Sequence, residues 1–160
     1  QGTHEGVDFY TDQSCQTIDV NTPVLAAKAG TIVRIDRAYS ELTLDQYSAA
    51  EAAGFQGETI LDMFRGRQVW IDHGQGVVTR YAHLSSVVPG LERGDSIDAG
   101  RVVGFVGESG TPESLFAPGT DEHLHFEIRV GDSYLGQGLD PFAARALYLE
   151  AFGIAEDGAP

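Results

Sequence analysis

Two histidines separated by one residue, His123 and His125, open an apolar run, HLHFEIRV, that is typical of a β-strand. In a strand, side chains at i and i+2 leave the same face, roughly 7 Å apart at a rise of ~3.3 Å per residue. Two imidazoles held that close on a rigid element can share a metal ion, or act as ligand and proton carrier. On its own the pair would also fit a solvent-facing strand edge, so a zinc hydrolase is indicated only if further donors accompany it.

Three further residues extend the pattern. His4 and Asp8, in HEGVD, offer a nitrogen and an oxygen donor, and His83 ends the strand-like run VVTRYAH. A hydrolytic zinc site needs three protein ligands, an open position for water and a separate group to take the water's proton. His4, Asp8 and one histidine of the HLH pair would complete the ligand set. The other histidine, with His83, is left for proton transfer and for stabilising the oxyanion.

The local sequence separates His4, a candidate ligand, from His73, a structural histidine. Residues i and i+4 of a straight strand lie roughly 13 Å apart, too far to share one ion. We therefore expect Gly6 to bend the backbone, with His4 in a loop that leads into a strand at Asp8. His73 lies in a turn between Asp72 and Gly74, where a structural hydrogen bond is its expected role.

Composition excludes several classes of protein. A chain of 160 residues is long enough for one domain with its own core, and its formal net charge of −14 disfavours nucleic acid and anionic lipid as partners. Cys15 is the only cysteine, so an internal disulfide and a thiolate zinc cluster are excluded. The sequence contains no apolar stretch of about 20 residues, so a membrane-spanning helix is not predicted. The sequence opens at Gln1 without Met, from which we expect a processed or trimmed chain.

Strand patterns occupy most of the chain. Alternation in TIVRID, apolar runs on both sides of DHGQG and recurrent glycines from 90 to 110 predict short antiparallel strands. Residues 41–65 have helical spacing and predict one or two short helices, broken near Gly54 to Gly57. The segment DPFAARALYLEAFG predicts a C-terminal helix with Asp140 as N-cap and Pro141 at its first position.

The predicted fold class is therefore mainly β: a compact antiparallel β-sheet or barrel-like domain with a short helical insertion at about 41–65 and a C-terminal helix. Residues 1–153 are expected to form a single domain, and 154–160 a loose tail.

Four segments, taken in order, resemble the lysostaphin-type (LytM-type) zinc metallopeptidases: HEGVDF, VWIDHGQGVVTRYAHL, GRVVGFVGESGT and HLHFEIRV. That family carries an HxxxD motif, a Y-[GA]-H-L strand and a terminal HxH. The resemblance runs from His4 to about Phe142 and includes the glycine and valine spacing before the HxH and the closing Asp140-Pro141 pair.

The resemblance implies zinc ligands at His4, Asp8 and His125. It implies that His83 and His123 are the non-ligand pair that positions and deprotonates water and stabilises the tetrahedral intermediate. The implied activity is that of a zinc-dependent endopeptidase that hydrolyses peptide bonds in bacterial peptidoglycan cross-links, either glycine bridges or stem-peptide junctions. The expected location is extracellular or periplasmic, and a monomer is expected.

Two features depart from the family pattern. The segment 41–65 lengthens a connection that the family often keeps brief, and we expect it to wall the groove and select substrates. Glu122 lies in TDEHLH, where the family commonly has small residues, glycine among them, before the HLH. We expect the Glu122 side chain to face water instead of tuning the pKa of His123.

Two other classes of function are open. A non-catalytic cell-wall-binding or amidase-activating domain of the same fold would be expected to have lost ligands, whereas all five positions are filled here. A carrier domain like the biotinyl modules would need a lysine at a hairpin tip. The only lysine, Lys28, precedes the Ala29-Gly30 turn and is not flanked by methionine, which argues against a carrier.

Overall fold

A computed structural model describes residues 4–13 and 16–154 of the chain. The strands within those ranges are β1 Val7–Phe9, β2 Pro23–Leu25, β3 Gly30–Ile35, β4 Val69–Asp72, β5 Val77–Ala82, β6 Ser86–Val87, β7 Ser96–Ile97, β8 Val102–Phe105, β9 Leu124–Val130 and β10 Ser133–Tyr134. The helices are α1 Leu44–Ala52, α2 Glu58–Phe64, α3 Pro112–Phe116 and α4 Pro141–Ala151, with a 3₁₀ turn at Thr11–Gln13.

The described strands form two antiparallel sheets. The larger has the order β1-β9-β5-β4-β3-β7, with β10 also paired to β9, and the smaller has the order β2-β8-β6. The mainly β, antiparallel prediction is confirmed. The sheets are not closed into a barrel, because β1 and β7 lie at opposite ends of the larger sheet.

The hydrophobic core is built from apolar residues of both sheets. Ile32, Ile71 and Phe126 of the larger sheet pack in one cluster with Val24 and Val103 of the smaller. Since side chains alternate along a strand, the residues between these core positions leave the opposite face of the larger sheet. That face is free to carry polar groups.

Cross-strand register arranges the polar face in rows. In one row Asp8 of β1 lies opposite His125 of β9, which lies opposite Ala82 of β5. The next row runs across four strands and consists of Glu127, Arg80, Trp70 and Arg34. Side chains directly opposite in such rows lie about 5 Å apart and contact one another.

Helices fill the connection between β3 and β4, as the residue spacing predicts. Thr43 caps α1 in a capping box with Gln46. The break before α2 contains three residues in the left-handed region, Gly54, Phe55 and Gly57. The connection therefore consists of two short helices instead of one long one.

The C-terminal helix α4 also begins where the sequence predicts. The Asp140 side chain accepts hydrogen bonds from the backbone N–H groups of Phe142 and Ala143, and Pro141 is the first helical residue. Except for Ile154, the predicted tail at 154–160 lies outside the described residues, as does Cys15. Among the described helices, none is long and apolar enough to cross a membrane.

Candidate metal centre

Three of the five predicted side chains converge at the edge of the larger sheet. Asp8 and His125 are cross-strand partners, and Asp8 Oδ1 lies 2.7 Å from His125 Nδ1. His4, in the loop before β1, places its Nε2 3.0 Å from Asp8 Oδ2 and 3.1 Å from His125 Nδ1. The pairing of β1 with β9 thus brings two nitrogen donors and one carboxylate together.

Gly6 lets the loop approach β9 closely. A Cβ at Gly6 would overlap the carbonyl oxygen of Phe126 and would lie 3.0 Å from His125 Cε1. Gly6 is not among the residues with positive φ. The chain bends at Gly6 and leads from a loop at His4 into β1, as the sequence predicts. Because φ is not positive there, it is the lack of space beside β9 that requires glycine at this bend.

Carboxylates on both sides orient the His125 ring. Its Nδ1 faces Asp8, and its Nε2 lies 3.2 Å from Oε1 of the fully buried Glu127. An Nε2–H that donates to Glu127 leaves the Nδ1 lone pair directed at Asp8 and His4, which is the tautomer of a metal ligand.

The metal-free centre favours a positive charge. Burial opposes charging of His125, but hydrogen bonds to Asp8 and Glu127 outweigh it and raise the pKa of His125 to about 9. Burial likewise opposes ionisation of Asp8, yet hydrogen bonds to His125 and His4 hold its pKa far below the usual value. The Asp8 carboxylate is therefore ionised at any ordinary pH. It faces the imidazoles of His4 and His125, and the space between the three groups suits a cation.

The three donors also match the geometry of a bound zinc ion. One ligand atom from each residue can be chosen so that all three lie within 4.8 Å of one another. In a tetrahedral site with zinc bonds of about 2.0–2.1 Å, neighbouring donors lie about 3.3 Å apart. His4 Nε2 and His125 Nδ1 lie 3.1 Å apart, and they contact different oxygens of Asp8, at 3.0 and 2.7 Å. The three side chains are therefore close enough to share one ion after a small adjustment.

His83 lies beside the cluster, one residue after β5. Its backbone is in the left-handed region, at φ +58°, and its N–H donates to the carbonyl of Arg65 at 2.9 Å. Its Nδ1–H donates to the carbonyl of Ser109 at 3.0 Å, so its Nε2 carries the lone pair. Burial, reinforced by His123, lowers the pKa of His83 to about 3 and keeps the ring neutral.

His123 precedes β9 and is held by a bridge to Gly107 instead of lying in the strand. Its Nδ1–H donates to the carbonyl of Asp121 at 2.7 Å, and Tyr10 stacks on its ring with centroids 4.5 Å apart. The His123 ring lies 4.6 Å from that of His83. Glu122 makes no hydrogen bond or ion pair in the described structure, so Asp121 is the acidic neighbour of His123.

A pocket of about 210 Å³ connects these groups. Its lining includes four of the predicted residues, His4, Asp8, His83 and His125, together with Leu61 and Phe64 of α2. Helix α2 thus forms one wall of the pocket, which is the position expected for the 41–65 segment.

His73 has the structural role that its turn predicts. Its Nδ1 bonds to the carbonyl of Ala29 at 2.9 Å, and its Nε2 bonds to the Thr79 hydroxyl at 2.8 Å. Both ring nitrogens are thereby used away from the cluster.

Three residues that support the cluster are not predicted from the sequence motifs: Glu5, Arg65 and Glu127. Glu127 could have been found, because it lies at i+2 from His125 on the same strand face. Arg65, at the end of α2, forms salt bridges with Glu5 and Glu127. Neither the spacing nor the composition of the sequence indicates that contact.

Comparisons with known proteins agree with this geometry. Residues 2–141 match the sequence profile of peptidase family M23. A stretch of 76 residues, 48% of this chain and 14% of the relative, is 41% identical to the DD-carboxypeptidase/endopeptidase Mpg of Neisseria meningitidis. A stretch of 67 residues, 42% of this chain and 14% of the relative, is 33% identical to the peptidoglycan DD-endopeptidase ShyA of Vibrio cholerae. The aligned part is thus a small fraction of either relative.

A solved structure extends the likeness to the fold. The catalytic domain of the antimicrobial peptidase lysostaphin from Staphylococcus simulans superposes with a TM-score of 0.51 and 26% identity, over 82% of this chain and 70% of that one. With the profile match to most of its length, the chain belongs to peptidase family M23.

Proposed function

We propose that this domain is a zinc-dependent endopeptidase that hydrolyses peptide bonds in bacterial peptidoglycan cross-links. One observation carries the proposal: His4 Nε2, the Asp8 carboxylate and His125 Nδ1 converge, with the rings of His83 and His123 beside them. Membership of a peptidase family and relatives that are named as endopeptidases also support it.

In this proposal His4, Asp8 and His125 hold the metal. A zinc ion bound there would supply a Lewis acid that polarises the scissile carbonyl and makes a water molecule more acidic. Asp8 contributes a negative charge and the histidines neutral nitrogen donors, which leaves a net positive centre for the developing oxyanion.

His83 and His123 are proposed to handle the proton. Each donates its Nδ1–H to a backbone carbonyl, so each presents an Nε2 lone pair when neutral. Either Nε2 can accept the proton of the attacking water, and the imidazolium so formed can return it to the leaving amine. Because the low pKa of His83 makes it a weak base, we assign it mainly to orienting the water through a hydrogen bond.

The substrate and location follow from the family and from the names of the relatives. We propose peptide cross-links of the bacterial wall as the substrate, an extracellular or periplasmic location and a monomeric domain. The formal charge of −14 supplies no electrostatic attraction to a negatively charged wall, because Arg65, the arginine that lines the pocket, is paired with Glu5 and Glu127. Binding of the wall would therefore depend on contacts within the groove.

Digestion of purified cell walls tests the proposal. Walls with glycine bridges and walls with direct stem-peptide links are incubated with the protein, with and without a chelator, and new amino termini are identified by mass spectrometry. We expect chelator-sensitive cleavage of at least one wall type and none by Asp8→Asn. Zinc binding without cleavage of any wall would instead favour the non-catalytic, cell-wall-binding alternative.

A further inference from the structure

The guanidinium of Arg65 joins the chain segments that carry the two histidine ligands. Arg129 joins the same segments from the other side, through Glu5 Oε2 at 2.7 Å and Glu127 Oε2 at 3.3 Å. Arg65 is only 8% exposed, and it donates from Nε to Glu127 Oε1 at 2.7 Å and from Nη2 to Glu5 Oε2 at 2.6 Å. Glu5 follows His4 in the loop, whereas Glu127 lies two residues after His125 on β9. The planar fork of arginine presents Nε and Nη2 to the two carboxylates in a fixed geometry, whereas the ammonium group of lysine has all its donors on one nitrogen.

The oxygen that Arg65 holds is the one that faces the ligand ring. Glu127 Oε1 lies 2.7 Å from Arg65 Nε and 3.2 Å from His125 Nε2. Two other arginines, Arg80 and Arg129, bond to the second oxygen, Oε2, each at 3.3 Å. Arg65 therefore fixes the orientation of the carboxylate oxygen that sets the His125 tautomer.

The same residue also contacts the non-ligand side of the centre. The carbonyl of Arg65 accepts the N–H of His83, whose left-handed backbone depends on its neighbours. The next residue, Gly66, lies so close to Ser109 that a Cβ would overlap its carbonyl, and that carbonyl accepts Nδ1–H of His83. Arg65 and Gly66, at the end of α2, thus contact the residues that hold His4, His125 and His83 in place.

We infer that Arg65 is a positioning residue of the metal centre, through which the helical segment 41–65 holds the two ligand-bearing segments in register. The inference rests on the proposed function, since it concerns the same metal. In this inference α2 stabilises the arrangement of the active-site residues, in addition to forming one wall of the pocket. Without Arg65, Glu5 and Glu127 are joined only through Arg129, which contacts Oε2 of each. Glu127 Oε1, the oxygen that faces His125, then loses the cation that holds it.

The test compares Arg65→Met and Arg65→Lys with Arg34→Met as a matched control. Arg34 lies on the same sheet face and also binds two carboxylates, Asp36 and Asp62, but no bond links it to Glu5 or Glu127. Zinc affinity is measured by competition with a chromophoric chelator. The visible absorption of the Co²⁺-substituted protein reports coordination, and kcat and KM are measured on purified walls.

For Arg65→Met we expect zinc affinity to fall about 10–100-fold, the range found for partners that orient metal ligands. The Co²⁺ spectrum should change as well. Arg65→Lys should lie between wild type and Arg65→Met, because a lysine keeps the charge but has a single nitrogen, which cannot occupy the positions of both Nε and Nη2. Arg34→Met should keep the affinity and spectrum of the wild type.

Failures of the two proposals can be told apart. Wild-type protein that binds neither metal would overturn the proposed function. Wild-type protein that binds zinc, with Arg65→Met of equal affinity and unchanged Co²⁺ spectrum, would overturn the positioning role alone. If Arg65→Met does not fold, as judged by circular dichroism, Arg65→Lys decides the question by the same two measurements.

Discussion

Asp8 and His125 lie opposite each other in the β1–β9 register, although 117 residues separate them in sequence. Asp8 contacts both histidines of the cluster, because its two oxygens reach them separately. The centre therefore exists only when the two ends of the domain have paired. Changes that disturb that pairing should affect metal binding and folding together.

Loss of Asp8 should release the metal. Asp8→Ala removes one of three ligands and the charge that balances two imidazoles, so zinc content after dialysis should fall well below one ion per chain. Metal analysis by mass spectrometry measures this, with Asp12→Ala, an exposed acidic residue in the adjoining 3₁₀ turn, as control. Full metal content and full activity in Asp8→Ala would show that the site lies elsewhere.

Loss of His83 should separate catalysis from binding. The Nδ1–H of His83 donates to the carbonyl of Ser109, and its Nε2 is left to orient the water beside the cluster. His83→Ala should therefore keep zinc but lower kcat sharply, because the water is no longer held for attack. Zinc content and wall-cleavage rates are measured on the same preparation. Loss of zinc from this variant would instead move His83 into the ligand set.

The residues of the centre could be found from the sequence because their types are scarce and their motifs local. The motifs predict a site made of His4, Asp8, His83, His123 and His125, and the structure brings these five side chains together. The alternation of strands and the Asp140 cap likewise made the architecture predictable. Residue spacing along the chain was sufficient for those features that depend on neighbouring residues alone, such as strands and helix caps.

Features that depend on tertiary contact were not predictable in this way. Nothing near Arg65 in sequence shows that its side chain meets Glu5 and Glu127, 60 and 62 residues away. The clash that requires Gly6 comes from a strand at the other end of the domain. The position of His123 before β9 depends on its bridge to Gly107, a contact that strand alternation does not reveal.

The close approach at Gly6 gives a test of the edge pairing. Gly6→Ala places a methyl group against the carbonyl of Phe126, so it should push β1 from β9 and lower both the melting temperature and zinc affinity. Gly74→Ala is the control, since a Cβ there meets nothing within 4 Å and only the positive φ is strained. An Ala variant at position 6 that binds zinc like the wild type would contradict this account of the loop.

The attachment of α2 should weaken in acid. Burial opposes ionisation of Asp62, but hydrogen bonds from Arg34 and Gln68 outweigh it and hold its pKa below 3.8. A lowered carboxyl pKa adds stability that is present above the unfolded value and is lost as pH falls through the folded value. The melting temperature of wild type should therefore exceed that of Asp62→Asn at pH 6, and the difference should shrink as pH falls below about 4.

The Asp62 side chain is 41% exposed, so solvent screening keeps the effect modest. Asp45→Asn, an exposed carboxylate in the first turn of α1, is the control. A gap between wild type and Asp62→Asn that stays constant from pH 6 to pH 3 would mean that the ion pair with Arg34 contributes nothing that titrates.

The wall formed by α2 should influence which cross-links are cleaved. Phe64 lines the metal pocket, whereas Phe55 belongs to the same aromatic cluster, 5.6 Å away between centroids, but does not line it. Phe64→Ala should change the ratio of kcat/KM between glycine-bridged and directly linked walls by several-fold, because it removes apolar surface that a substrate would contact. Phe55→Ala should lower stability through the lost ring contact and leave that ratio unchanged. Equal ratios in wild type and both variants would leave α2 with a framework role alone.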